Sequence, residues 1–214
     1  FSVVIPTLNS AKTIEQCVSS FHDQTNMPQE VIIVDGGSVD GTQEICERLD
    51  VTLIVNEEDT VGEARNMGVE SASGEVIFLS DSDCYADSNL LDYHKRAYER
   101  RKKLSGVMGA IRNANPGNPV SEYVQREIME SQWINALDKD GYVKYIHTGT
   151  YNLSMLRDIL LENRFREDQP ASCDTELSIR LHGKIKILFE PRAITYHHHP
   201  ETTWIIDLVT KHGC

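Results

Sequence analysis

Asp81 and Asp83 stand two residues apart, directly after the apolar run Val76-Ile77-Phe78-Leu79. That run, introduced by Ser73-Gly74-Glu75, reads as a buried strand of a parallel sheet. Residues two apart on an extended chain point to the same side. Two carboxylates so placed repel each other unless a cation lies between them, and hard divalent ions such as Mg²⁺ or Mn²⁺ take oxygen ligands. The C-terminal edge of an open α/β sheet is also where ligands bind. On its own, Asp81-Ser82-Asp83 reads as a solvated acidic turn as well, since Asp and Ser are ordinary turn residues.

Three earlier stretches carry groups that suit a nucleotide. Val3-Val4-Ile5-Pro6-Thr7-Leu8-Asn9 ends a strand in a proline-containing turn. Backbone groups and hydroxyls around Pro6, Thr7 and Asn9 can contact a base there, although a plain strand and turn is the simpler reading. Next, Val31-Ile32-Ile33-Val34-Asp35-Gly36-Gly37-Ser38-Val39-Asp40-Gly41-Thr42 places Asp35 at a strand terminus ahead of Gly36 and Gly37. The glycines let backbone approach a planar ligand closely, and the carboxylate can accept a hydrogen bond from a pyrimidine N–H. Asp40 is placed either to bind or to cap the helix beginning near Thr42. No Gly-Lys-Ser/Thr follows, so this is neither a P-loop nor GxGxxG. Third, Gly62-Glu63-Ala64-Arg65-Asn66-Met67-Gly68 carries Arg65 on a short helix ahead of the Asp81 strand. A guanidinium can pair with a diphosphate or stack on a base; an isolated helix Arg is otherwise a surface residue.

The ordered series VVIPTLN, VIIVDGGSVDGT, GEARNMG and VIFLSDSD resembles the inverting nucleotide-sugar glycosyltransferases of family 2. The resemblance is dense in the first half and thins towards residue 200. It implies the GT-A fold, an α/β, Rossmann-like, mostly parallel central sheet flanked by helices in a single domain. Residues 1–112 would be the nucleotide-sugar-binding half and 113–214 the acceptor side. It implies a nucleotide pocket lined by Thr7, Asp35 and Arg65, with Pro6, Asn9, Gly37 and Ser82 beside them. Asp81 would lie near the ribose or a metal-bound water, and Asp83 would hold the Mn²⁺ or Mg²⁺ that bridges the phosphates. In Phe165–Leu181, Asp174 matches the aspartate of the family's acidic pair and would be the catalytic base. Cys173 stands where the family has Glu, and Glu176 is a weaker candidate. In Tyr196-His197-His198-His199-Pro200, His197 matches a histidine that reaches the metal or a phosphate. An imidazole joined to carboxylates suits Mn²⁺ better than Mg²⁺.

The implied reaction is a single displacement that moves a sugar from a nucleotide-sugar donor, UDP-linked before GDP or dTDP, to a glycan or lipid-linked acceptor hydroxyl. Gly149, Thr150, Tyr151 and Asn152 would flank donor sugar and acceptor. A sugar nucleotidyltransferase is a rival, but Asn9-Ser10-Ala11-Lys12 poorly matches the Gly-rich, Arg/Lys-bearing loop it needs. A non-catalytic nucleotide-binding scaffold of the same fold is another, raised by Cys173.

These residues require strands that end together. Apolar strands Phe1–Ile5, Val31–Val34, Val51–Val55 and Val76–Leu79 alternate with expected helices near Ala11–Phe21, Thr42–Leu49 and Gly62–Ser71, the rhythm of a parallel sheet. Further expectations are a strand at Gly106–Ile111 and an amphipathic helix from Val120 to Leu137. A strand near Ile146–Leu153 follows, then helices near Leu156–Glu162 and Asp174–His182. Strands near Ile185–Leu188 and Ala193–Tyr196 precede a last helix near Thr203–His212. Over 214 residues the net charge is −12, which argues against a nucleic-acid footprint. A basic cluster, Lys95, Arg96, Arg100, Arg101, Lys102 and Lys103, reads as a solvated helix end or as a contact with anionic lipid. Five cysteines without CxxC spacing point to free thiols in a reducing compartment, so the expectation is a cytoplasmic protein, with work at the inner membrane face as its alternative. Phe1 already begins a strand, so a longer polypeptide around this stretch is expected.

Overall fold

The computed structural model describes residues 1–56, 60–130, 137–144, 149–169 and 172–199. Eight strands form one sheet: β1 (Ser2–Thr7), β2 (Glu30–Asp35), β3 (Thr52–Val55), β4 (Val76–Leu79), β5 (Cys84–Ala86), β6 (Gly106–Asn113), β7 (Leu153–Leu156) and β8 (Ile187–His197). Their order is β3-β2-β1-β4-β7-β6-β8-β5. The β3–β2, β2–β1, β1–β4 and β6–β8 pairs are parallel, whereas β7 is antiparallel to both β4 and β6, and β5 to β8. The expected α/β sheet is therefore present, and it is mixed. Strands from before and after residue 113 share it.

Seven α-helices accompany the sheet among the described residues: α1 (Ile14–His22), α2 (Thr42–Cys46), α3 (Val61–Ser71), α4 (Leu90–Arg100), α5 (Pro119–Tyr123), α6 (Arg157–Glu162) and α7 (Cys173–Leu181). The central strands read as unbroken apolar runs because both faces are covered. On one face Val4, Ile32, Val34, Ile77 and Leu79 pack with Ala64 and Val69 of α3 and Leu177 and Leu181 of α7. On the other, Val3, Ile5, Val31, Ile33 and Phe78 pack with Ile14, Cys17, Val18 and Phe21 of α1 and Leu90 and Leu91 of α4. Parallel β1, β2 and β4 consequently end at one edge, which carries Thr7, Asp35 and the residues after Leu79.

Several elements differ from expectation. Helix α1 starts at Ile14, after a turn in which the Ile14 and Thr13 amides donate to the Ser10 carbonyl. The strands expected at Ile185–Leu188 and Ala193–Tyr196 are one strand, β8, whose register against β6 shifts between Gly109 and Ala110. The short β5 had no apolar pattern to announce it. The helix expected from Val120 to Leu137 is instead α5 followed by a π-helical stretch, Val124–Glu130, while Leu137 makes an isolated bridge with Val143. Of the strand expected near Ile146–Leu153, residues 146–148 lie outside the described residues, and β7 begins at Leu153. The helix expected near Thr203–His212 lies outside the described residues. No described helix is long and apolar enough to cross a membrane.

Candidate active site

At the end of β2 the buried Asp35 carboxylate is taken up by its own loop. Its Oδ1 accepts from the Gly37 amide at 3.1 Å, the Ser38 amide at 2.8 Å and Gln43 Nε2 at 2.7 Å. Its Oδ2 accepts from Ser38 Oγ at 2.6 Å. Gly37 has φ +85°, a left-handed conformation that lets the chain fold back over the carboxylate. The β1 loop docks on the same turn: the Asn9 amide donates to Ser38 Oγ at 2.7 Å, and Asn9 Oδ1 accepts from the Val39 amide at 3.1 Å. Asp40 proves to be a tie between loops. It accepts from the Thr42 amide at 3.1 Å and the Ala11 amide at 3.0 Å.

The segment after β4 departs from the extended geometry expected of it. The Cys84 amide donates to the Asp81 carbonyl at 3.1 Å, so Asp81-Ser82-Asp83 bends as a turn and its two carboxylates diverge. Asp81 faces Arg65, with Nη2 at 3.1 Å from Oδ1. Arg65 is 5 % exposed; its Nη1 donates to Cys173 Sγ at 3.1 Å and its guanidinium lies 5.5 Å from the Phe165 ring centre. Burial opposes the Arg65 charge, but Asp81 first, then Cys173 and Asp174, hold its pKa above the ordinary value. For Asp81, burial pushes the pKa up; Arg65 opposes this and Asp83 adds to it. Arg65 Nε is buried with no hydrogen-bond partner among the described residues.

Asp83 turns the other way. Its Oδ2 lies 3.3 Å from His197 Nε2, at the end of β8, and Asp83, Cys84 and His197 bring their ligand atoms within 4.8 Å of one another. Burial opposes the Asp83 charge, yet the His197 hydrogen bond and the imidazole's charge bring its pKa below the usual carboxylate value. Burial lowers and Asp83 raises the His197 pKa, with a net rise. Burial and both aspartates push the Cys84 thiol pKa well up, and a thiol is a softer donor than hard divalent ions prefer. That leaves an oxygen of Asp83 and a nitrogen of His197 as the atoms of this cluster that could hold a divalent cation, a set that would suit Mn²⁺. Tyr151 stacks on His197, with ring centres 4.9 Å apart and planes 14° apart.

Pro6, Thr7, Arg65, Asp81, Ser82 and Asp83 line one cleft of about 270 Å³. Asn9, Asp35 and Gly37 are not among its walls. Asp174 occupies the first turn of α7, one residue beyond Cys173, and its Oδ1 accepts from the Thr175 amide at 2.8 Å. Glu176 is tied to Arg180 at 2.9 and 3.0 Å. Of Gly149–Asn152, Tyr151 reaches His197, whereas the Asn152 amide donates to the Ala110 and Ala193 carbonyls in the core. Ser38, which closes the Asp35 loop, and Ser10, whose hydroxyl lies 2.7 Å from that of Ser82, went unnoticed in the sequence; single serines in loops give no signal.

A family model described as glycosyl transferase family 2 matches residues 2–163. Glycosyltransferase AglE of Haloferax volcanii is 37% identical over 91 residues, covering 39% of this chain and 30% of that protein. Chondroitin synthase of Pasteurella multocida is 32% identical over 120 residues, covering 54% of this chain and 12% of that protein. The matched stretches span less than a third of these curated relatives' length. Among solved structures, mannosyltransferase PcManGT of Pyrobaculum calidifontis, in complex with GDP-Man and Mn²⁺, superposes with a TM-score of 0.74 at 18% identity. The match covers 98% of this chain and 60% of that one. S. aureus TarS 1-349 with UDP-GlcNAc gives 0.72 at 21% identity, covering 94% and 59%. At such identities the likeness speaks for a shared fold. Since the family match runs from β1 through α6 and takes in every strand-end loop of the cleft, the chain belongs to glycosyl transferase family 2.

Proposed function

We propose that this chain is the catalytic part of a metal-dependent, inverting glycosyltransferase that moves a sugar from a UDP-linked donor to an acceptor hydroxyl of a glycan or glycolipid. The observation that carries the reading is the pairing, around one cleft, of a buried guanidinium at Arg65–Asp81 with the oxygen–nitrogen set at Asp83–His197. A divalent cation held there supplies positive charge against the departing diphosphate. Arg65, fixed by Asp81, Cys173 and Phe165, adds a second charge that needs no reorganisation during the reaction. Its unpartnered Nε gives a ligand oxygen a donor to meet. Pro6, Thr7 and Ser82 hold the nucleotide side of the cleft, and the Asn9, Asp35 and Gly37 loops fix the shape of its rim. Asp174 takes the proton from the acceptor hydroxyl as it attacks. One displacement inverts the anomeric centre.

Donor hydrolysis can be read without knowing the acceptor. A panel of nucleotide sugars is offered with and without Mn²⁺, and UDP binding is measured by calorimetry. The expected result is Mn²⁺-dependent hydrolysis of one donor, with Mn²⁺-dependent UDP affinity falling at least about 10-fold in Asp83→Ala. Metal-independent hydrolysis, or unchanged Mn²⁺-dependent UDP binding in Asp83→Ala, would remove the metal assignment.

A further inference from the structure

We infer that the edge where β6 and β8 begin docks the protein on an anionic lipid bilayer, through Arg101, Lys102, Lys103, Lys184 and Lys186. The inference goes beyond the transfer reaction proposed above and does not depend on it.

The helix end that reads in the sequence as one basic cluster divides in the structure. Arg96 lies 2.8 Å from Asp92 and Arg100 lies 2.6 Å from Glu190, so both charges are met within the chain. Arg101, Lys102 and Lys103, past the end of α4, are exposed, and their side chains have no partner among the described residues. Two cations from a distant stretch join them. The Ser105 and Gly106 amides donate to the Lys186 carbonyl at 2.8 and 3.2 Å, and the Lys186 amide donates to Ser105 Oγ at 3.1 Å. Lys184 and Lys186 are likewise exposed and unpaired, while Ile185 between them packs on the core. Leu104, 4 % exposed, anchors the other loop on Ala97 and Val107. Neither 101–105 nor 182–186 contains an acid. Backbone bonds thus hold five like charges on one edge, where they repel one another until an external anionic surface meets them.

The make-up of the patch selects its partner. Four of the five cations are lysines, point charges on flexible stems. They suit a surface whose charges move laterally to meet them, as phospholipid headgroups do. Each such cation contributes about 5-fold to affinity for an anionic leaflet. The net charge of −12 does not prevent this. At physiological salt, exposed charges more than about 8 Å apart are largely screened, so a membrane touching the patch feels the patch. The acidic remainder instead favours this one approach. Since β6 and β8 run from this edge to the cleft, the docked protein opens its cleft to the aqueous side.

Vesicle flotation tests the inference. Vesicles of phosphatidylcholine with about one-third phosphatidylserine are compared with phosphatidylcholine alone, at about 0.1 M salt. Wild-type protein is expected to float with the anionic vesicles only, and to leave them at about 1 M salt, where the Debye length is about 3 Å. Lys186→Gln should bind about 5-fold more weakly, and Lys102→Gln combined with Lys184→Gln and Lys186→Gln about 100-fold. Exposed Lys12 follows the end of β1, at the opposite edge. Lys12→Gln removes the same charge there and should stay within about 2-fold of wild type. Wild-type protein that ignores the anionic vesicles, or binds both kinds equally, overturns the inference whatever the variants do. A loss in Lys12→Gln as large as in Lys186→Gln also overturns it, because binding would then follow net charge and not the patch.

Discussion

In the first turn of α7, Glu176 is held by two nitrogens of Arg180, at 2.9 and 3.0 Å, whereas Asp174 accepts through Oδ1 from the Thr175 amide. Among the described residues this leaves Asp174 Oδ2 as the carboxylate oxygen free to take a proton. Asp174→Asn keeps an acceptor for Thr175 and the side chain's shape but removes the proposed base. Turnover should fall about 10²- to 10⁴-fold while UDP affinity stays essentially unchanged. Retained turnover in that variant would leave another group as the base. At this scale the sequence was legible where chemistry is written in residue type: Arg65 and Asp83 line one cleft and His197 lies against Asp83. It was not legible where role depends on partner. The two carboxylates of Asp81-Ser82-Asp83 share one type and close spacing, but a turn sends one to Arg65 and the other to His197. Asp35, an apparent base reader, has its carboxylate enclosed by the loop it organises.

Helix α3 shows how one motif joins elements. Arg65 reaches Asp81 and Cys173, and the Asn66 side chain exchanges two hydrogen bonds, both 2.9 Å, with the backbone of Phe165. Gly62 leaves room for the Arg166 carbonyl, and Gly68 lets the helix lie directly on Val4 of β1. A stretch read from sequence as a ligand motif thus also seats the segment leading to α7 and Asp174. A Cβ at Gly68 would overlap the Val4 side chain, which is fully buried in a strand paired on both sides. Alanine at a helix interior is intrinsically better than glycine by about 1 kcal/mol, but overpacking a tight core costs about 1–3 kcal/mol. Gly68→Ala should therefore destabilise by up to about 2 kcal/mol in denaturant unfolding. It should also weaken UDP binding, because the shift moves Arg65. A more stable variant with unchanged binding would contradict this packing account. The buried strands were readable since covering both faces removes polar alternation. The three-residue β5, the continuity of β8 across its register shift and the π-helical stretch were not, for each depends on pairing with distant chain.

Across the whole molecule, charge and site are separated. The basic residues Arg101, Lys102 and Lys103 precede β6, at the edge where β6 and β8 begin, whereas His197 and the cleft lie where these strands end. Eight residues of β6 separate the two edges, about 25 Å. An anionic surface met by that cluster would leave the cleft facing away from it. Between the edges, the structure buries a polar knot around His94, and this sets the response of the protein to acid. His94 on α4 is fully buried, with Nδ1 at 2.8 Å from Ser154 Oγ and Nε2 at 3.1 Å from Asn152 Oδ1. The Asn152 amide nitrogen donates to two backbone carbonyls, so its oxygen accepts from His94 Nε2–H and Nδ1 accepts from Ser154. Tyr98 also bonds Ser154, and Glu190 is the carboxylate that acts on His94 from a distance. Burial outweighs these contacts and lowers the His94 pKa from 6.5 to about 4. The unfolded chain then binds a proton between those values that the folded chain refuses. Stability is full above pH 6.5 and is lost as pH falls towards 4, by up to about 3 kcal/mol from this group. His199, also lowered to about 4, adds loss in the same window. In urea unfolding at a series of pH values, His94→Gln should therefore flatten the slope by close to one proton without abolishing it, each protein being referred to its own stability at neutral pH. An unchanged slope in His94→Gln would mean that the His94 ring accepts a proton in the folded core as readily as in water.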